Sequence, residues 1–163
     1  MAETFKKLVS YSTSGSSSTS ITLSSIPQTH DDLFIVFNGT GTTGGGAVNV
    51  RFNGDTGSNY QVNYMWNNAS SSTAASASST FAGAARIFQV SAGVNSGGWM
   101  YLPNYTSSLY KVFNSRSFHN NINISYTNSW RNTSAISSMT LSLESSSAFN
   151  TDFRTDVYGI TKA

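Results

Sequence analysis

The sequence predicts an all-β fold: an antiparallel β-sandwich, jelly-roll-like, of about ten strands with minimal helix. Three observations carry that prediction. Several segments alternate apolar and polar residues with period two, the pattern of a strand with one wet face. No window sustains a helical stripe, and Ser, Thr, Asn and Gly, which supply 78 of the 163 residues, are weak helix formers. Turn signals such as Asn53-Gly54 punctuate the alternating segments.

In chain order, the first candidate strands cover 4–12 and 18–24. Between them and the next strand, Ile26-Pro27-Gln28-Thr29-His30-Asp31 reads as a single helical turn, with Pro27 in the first-turn position. Leu33-Phe34-Ile35-Val36-Phe37 is apolar on both faces and reads as a central strand. Val48, Val50 and Phe52 alternate with Asn49 and Arg51. Tyr60, Val62, Tyr64 and Trp66 share a face opposite Gln61 and Asn63. Further candidates lie at 84–91, 98–103, 110–118 and 153–161. Ile122, Ile124, Tyr126 and Trp130 form one stripe, and Met139, Leu141 and Leu143 another. The low-complexity stretches 12–20, 39–46 and 67–80 read as loops or edge segments of one sandwich spanning 1–163.

Charge and chemistry narrow the function. Charged residues make up 10% of the chain, against about 25% in ordinary globular chains. The net charge is +2, and the longest basic run is Lys6-Lys7, so no nucleic-acid partner is expected. With no Cys there is no disulfide, thiolate metal site or cysteine nucleophile. Neither a signal peptide nor a membrane span is expected. Gly39-Thr40-Gly41-Thr42-Thr43-Gly44 fits the spacing of a dinucleotide loop, but a strand follows it where that site needs a helix. Asn53 to Asn59 has the flavour of a calcium loop, yet Tyr64 stands where the bidentate Glu belongs. His30, expected to face solvent, and His119 are the only imidazoles, and no nucleophile elbow is present. Asp152 and Asp156 are close in sequence, and Asp156 is expected to pair with Arg154 on one strand face. Five Asn-x-Ser/Thr sequons match the number that the composition gives by chance. No catalytic residue, metal or cofactor is assigned. The exposed aromatic candidates for stacking on a sugar are Trp99, Tyr101 and Tyr105, while Trp66 and Trp130 end apolar stripes and are expected in the core or its rim.

Five segments carry a resemblance. Leu23 to Leu33 (LSSIPQTHDDL), Arg51 to Tyr60 (RFNGDTGSNY), Leu102 to Thr106 (LPNYT), Ile136 to Leu143, and Phe149 to Ile160 with its Tyr158-Gly159-Ile160 resemble segments of a family of tailed-bacteriophage virion proteins. The resemblance implies a non-enzymatic structural protein of a phage particle, without a cofactor. The expected role is a capsid decoration (cement) protein that binds the major capsid protein or other virion proteins. It is expected as a homotrimer or another cyclic homo-oligomer, located in the virion. The alternative is a tail-fibre or baseplate tip module that binds host polysaccharide. In the shared segments Pro27, Asn53 and Gly54 are expected to fix turns, and Arg51 and Asp55 to bridge across the Asn-Gly turn.

Overall fold

The structure is a computed structural model and describes residues 4–42, 44, 46–71, 73–144 and 147–161. Its strands, in chain order, are β1 (Phe5–Ser12), β2 (Ser20–Leu23), β3 (Asp32–Gly39), β4 (Gly46–Phe52), β5 (Tyr60–Asn68) and β6 (Thr73–Ala82). They continue with β7 (Ala85–Val90), β8 (Ser96–Leu102), β9 (Lys111–His119), β10 (Ile122–Trp130), β11 (Met139–Leu143) and β12 (Arg154–Ile160). Every pairing between them is antiparallel. One sheet has eight strands in the order β1-β12-β3-β8-β9-β10-β5-β6, and the other has four, β2-β11-β4-β7. The all-β antiparallel sandwich is as the alternation predicts. The division into eight and four departs from a jelly roll of two matched sheets.

The core lies between the sheets and follows from the period-two pattern. Leu33, Ile35 and Phe37 of β3, Val48, Val50 and Phe52 of β4, and Met139 and Leu141 of β11 all point inward and are buried. Phe37 and Phe88 meet across the sheets with ring centroids 5.5 Å apart. Gly98 makes that contact close: a Cβ there would sit 2.9 Å from the Phe88 ring and 2.2 Å from the Arg116 carbonyl. Strand β7 also hangs from the large sheet by polar clamps. The Gln89 N–H donates to Ser117 Oγ at 2.9 Å, and Asn128 Nδ2 donates to the Arg86 carbonyl at 2.8 Å. These bonds explain two polar residues on otherwise inward-facing rows.

Three local expectations change. The segment 67–80, expected as a loop or edge segment, contains an edge strand, β6, which was not among the candidate strands. Its Ala-Ser sequence lacks the β-branched and aromatic residues that mark strands, so hairpin pairing with β5 forms it. Residues Ile26 to Asp31 form no helical turn. Pro27 sits in an irregular arch that Gln28 Nε2 ties to the Ile26 and Ile136 carbonyls, each at 2.9 Å. Arg51 and Asp55 do not bridge: Arg51 Nε donates to the Gly83 carbonyl at 2.9 Å, holding the link into β7.

The Asn53-Gly54 turn forms as the sequence implies. Both residues have positive φ, 52° and 70°, and the Asp55 N–H donates to the Phe52 carbonyl at 2.9 Å. That geometry is open to Asn and Gly at little cost. Here it leads from one sheet to the other, from β4 to β5. The side chains then lock the crossing. Asn53 Oδ1 accepts the Ser137 and Ser138 N–H groups at 2.9 and 3.1 Å. The Asp55 carboxylate accepts from Gly57 N, Asn59 Nδ2 and Trp130 Nε1 at 2.8, 2.9 and 2.8 Å. Burial pushes the Asp55 carboxyl up, but these bonds outweigh it and hold the group below 3.8.

Candidate functional site

The outer face of the eight-stranded sheet follows from strand register. Tyr158 pairs with Phe34, Phe34 with Tyr101, Val36 with Trp99, and Trp99 with Arg116. These positions therefore share one surface, on the side away from the core. Aromatic contacts run along it. Phe5 stacks on Tyr158 at 4.8 Å, Phe5 meets Phe34 at 6.1 Å, and Phe34 stacks on Trp99 at 5.9 Å. Arg116 lies over the Phe118 ring at 5.5 Å. Much of the row is open to solvent: Phe5 is 51% exposed, Phe118 45% and Val36 37%. Aromatic residues and Arg are the side chains enriched where proteins bind one another.

The charges at the β1 end are organised around one carboxylate. Asp156 takes Lys7 Nζ at 3.3 Å, Arg154 Nε at 3.0 Å and the Ser10 hydroxyl at 2.5 Å. Burial raises its pKa, but these partners outweigh burial and lower it. The Arg154–Asp156 pair is the one that sequence spacing predicts. Asp152 has different partners, accepting the Thr40 hydroxyl at 2.9 Å.

Trp99 and Tyr101 stand on this outer face. Trp99 is half-buried against Phe34, and the Tyr101 hydroxyl donates to Asp32 at 2.7 Å. Tyr105 does not join them. It is fully buried, and its hydroxyl donates to the Pro27 carbonyl, so it cannot meet a sugar. The Pro-Asn-Tyr turn points it inward, where it props the Pro27 arch. Sequence reasoning did not single out Phe5, Phe34, Tyr158 and Phe118 as surface residues. Their signal was present in β3, whose apolar residues on both faces leave Phe34 and Val36 outside.

A second concave feature lies under the free edge of β7. Tyr64, Trp66 and Tyr126 floor a groove of about 420 Å³, with Arg86, Gln89 and Glu144 at its rim. Tyr64 and Tyr126 rings are 5.8 Å apart, and Arg86 Nε bonds Glu144 Oε1 at 2.7 Å. That bond is the main reason the Arg86 pKa is raised. The groove exists because the eight-stranded sheet overhangs the four-stranded one at β5 and β6.

The remaining motifs are absorbed by structure. The amides of Thr40, Gly41 and Thr42 in the glycine-rich stretch go to Asp152, the Ser91 carbonyl and the Ala148 carbonyl, leaving none of the three to cradle a phosphate; Thr43 lies outside the described residues. His30 does not face solvent freely: its ring covers Gly159, where a Cβ would come within 2.5 Å. His119 is buried, which lowers its pKa, and its Nδ1 has no partner. The nearby Ser117 hydroxyl is committed to the Gln89 backbone. Among the described residues, no three acidic or imidazole side chains gather to hold a metal ion. No protein-family model matches the chain, and no curated protein is significantly similar to it.

Proposed function

We propose that this chain is a non-enzymatic structural protein of a tailed-phage particle, a capsid decoration protein that grips the head lattice with the outer aromatic face of its large sheet. The observation that carries the reading is the continuous row Tyr158, Phe5, Phe34 and Trp99 on the outer face of the sheet, with Phe5 exposed, the other three half-buried, and Arg116 and the exposed Phe118 beside them. Large exposed apolar patches mark interaction sites. The sequence resemblance points to the same class of particle. A contact made chiefly by rings and short neutral side chains is little screened by salt.

The test is co-sedimentation of the purified protein with undecorated heads of the phage that encodes it. Binding is expected at a fixed ratio to the major capsid protein and nearly unchanged from low to high ionic strength. Trp99→Ala combined with Phe5→Ala should abolish it while the fold is retained. Binding confined to tails, or none, overturns the reading.

The groove under β7 favours a second reading, in which the domain sits at a tail tip and binds polysaccharide. Tyr64 and Trp66 supply stacking faces, and Arg86, Glu144 and Gln89 supply polar partners, as sugar sites require. Glycan-array binding that is lost in Trp66→Ala and kept in Trp99→Ala would select it.

A further inference from the structure

The two sheets have four edge strands, and three of them carry devices that discourage pairing with another chain. Strand β1 has Lys6 and Lys7 and a bulge between Lys7 and Val9. Strand β2 is only four residues long. Strand β7 carries Arg86 and a register shift opposite Val48 and Asn49. Short edges, lysines and bulges are the usual protections against edge-to-edge association.

The fourth edge, β6, has none of them along most of its length. It is ten residues long, with the sequence TAASASSTFA, and contains no charge, Pro or Gly. The whole chain carries no charged residue between Asp55 and Arg86. Pairing with β5 runs in unbroken register from Thr73 to Ser79, with its irregularity confined to the end near Ala82. Ala74, Ala75, Ser76, Ala77 and Ser78 are all exposed.

We infer that β6 is a self-association edge: two copies pair β6 to β6, antiparallel about a two-fold axis, and join their large sheets into one. A foreign strand is selected by pockets for its alternate side chains. Ala74, Ser76 and Ser78 on one face and Ala75 and Ala77 on the other are all small, and the hollows they help to line are shared with Met65, Tyr64 and Arg116, so these lie over the sheet faces inward of the edge. A second copy matches this edge in length, pleat and side-chain size. A strand of this length offers roughly ten interchain backbone hydrogen bonds in such a pair, the number found in a standard interface. Each chain has one unprotected edge, so the pair closes after two copies and does not grow into a fibre. The inference stands on the edge strands alone and does not rest on the virion reading.

The experiment is sedimentation equilibrium of the purified full chain, with a mass of twice 17.5 kDa expected at micromolar concentration. Ser76→Lys with Ser78→Lys should raise the dissociation constant by roughly tenfold or more, because the added ammonium groups face each other across the axis. Lys7→Ser should leave it unchanged. The chain has no Cys, so single Ser76→Cys, Ala77→Cys and Ser78→Cys variants report proximity directly. At least one should form a covalent dimer under mild oxidation, and Lys7→Cys should not. A monomer at all concentrations overturns the inference. So does a dimer that neither the lysines nor any β6 cysteine affects.

Discussion

Across β1, β12, β3, β8 and β9 the outer face of the large sheet carries aromatic rings, while across β10, β5 and β6 it is mostly hydroxyls and amides, with the exposed Met65 among them. In the second half Asn123, Ser125 and Thr127 lie beside Asn67, Met65 and Asn63. Two bonds involve them: Thr127 Oγ1 donates to Asn114 Oδ1 of the neighbouring β9 at 3.0 Å, and Asn63 Nδ2 reaches the Thr127 carbonyl at 3.4 Å. Apart from β6, both halves alternate with period two over the same core. The difference lies only in which residues occupy the outward positions. The second half presents chiefly groups that water can satisfy, whereas the aromatic half presents more apolar area. The sheet therefore carries, on a single surface, an aromatic region beside a mainly polar one.

The strongest way to break the comparison is to remove the support that lies under it. Trp130 is fully buried, packs on Phe52 and Tyr60, and bonds Asp55. Trp130→Ala should cost about 3–5 kcal/mol in chemical denaturation, enough to destabilise both halves together. Asp55→Ala comes next, at about 1–3 kcal/mol, because it leaves Trp130 Nε1 and the Gly57 N–H without their acceptor. Asp55 and Asp156 also divide the acid response between the halves. Both folded pKa values lie below 3.8, so the stability they contribute is present above 3.8 and is lost as pH falls through the lower folded values. Asp156→Asn should flatten the acid limb of the stability curve in part, and Asp55→Asn should remove much of the rest. A smaller effect sharpens the contrast itself. Trp99→Ala should weaken particle binding strongly, while Thr127→Ala should change neither binding nor stability by more than about 0.5 kcal/mol.

Much of the fold was legible because its strands obey the period-two rule. Phe52, Val62, Tyr126 and Leu141 are buried as their positions predict. What escaped is instructive. Strand β6 has no apolar-polar contrast, so its identity is set by its partner β5 and not by its own residues. Tyr105 reads as a surface aromatic because its segment is polar, yet the loop turns it inward onto Pro27. Arg51 and Asp55 have opposite charges at short spacing, but each finds backbone or neutral donors and acceptors nearer to hand. The aromatic face was visible only in part, through β3 and Trp99. Its other members come from β1, β9 and β12, and only sheet order brings those strands together.

Strand β12 lies between β1 and β3, although it is made after every other strand of its sheet. A growing chain therefore carries β3 with one side unpaired until Arg154 to Ile160 has left the ribosome. The Leu33 to Phe37 run, apolar on both faces, is the edge left open in the meantime. Long-range strand pairing of this kind is slow. Copies cut short before β12 keep that apolar edge and are prone to aggregate, whereas the full strand set closes it. The last strand of the chain is thus the one that closes the sheet over its most apolar run.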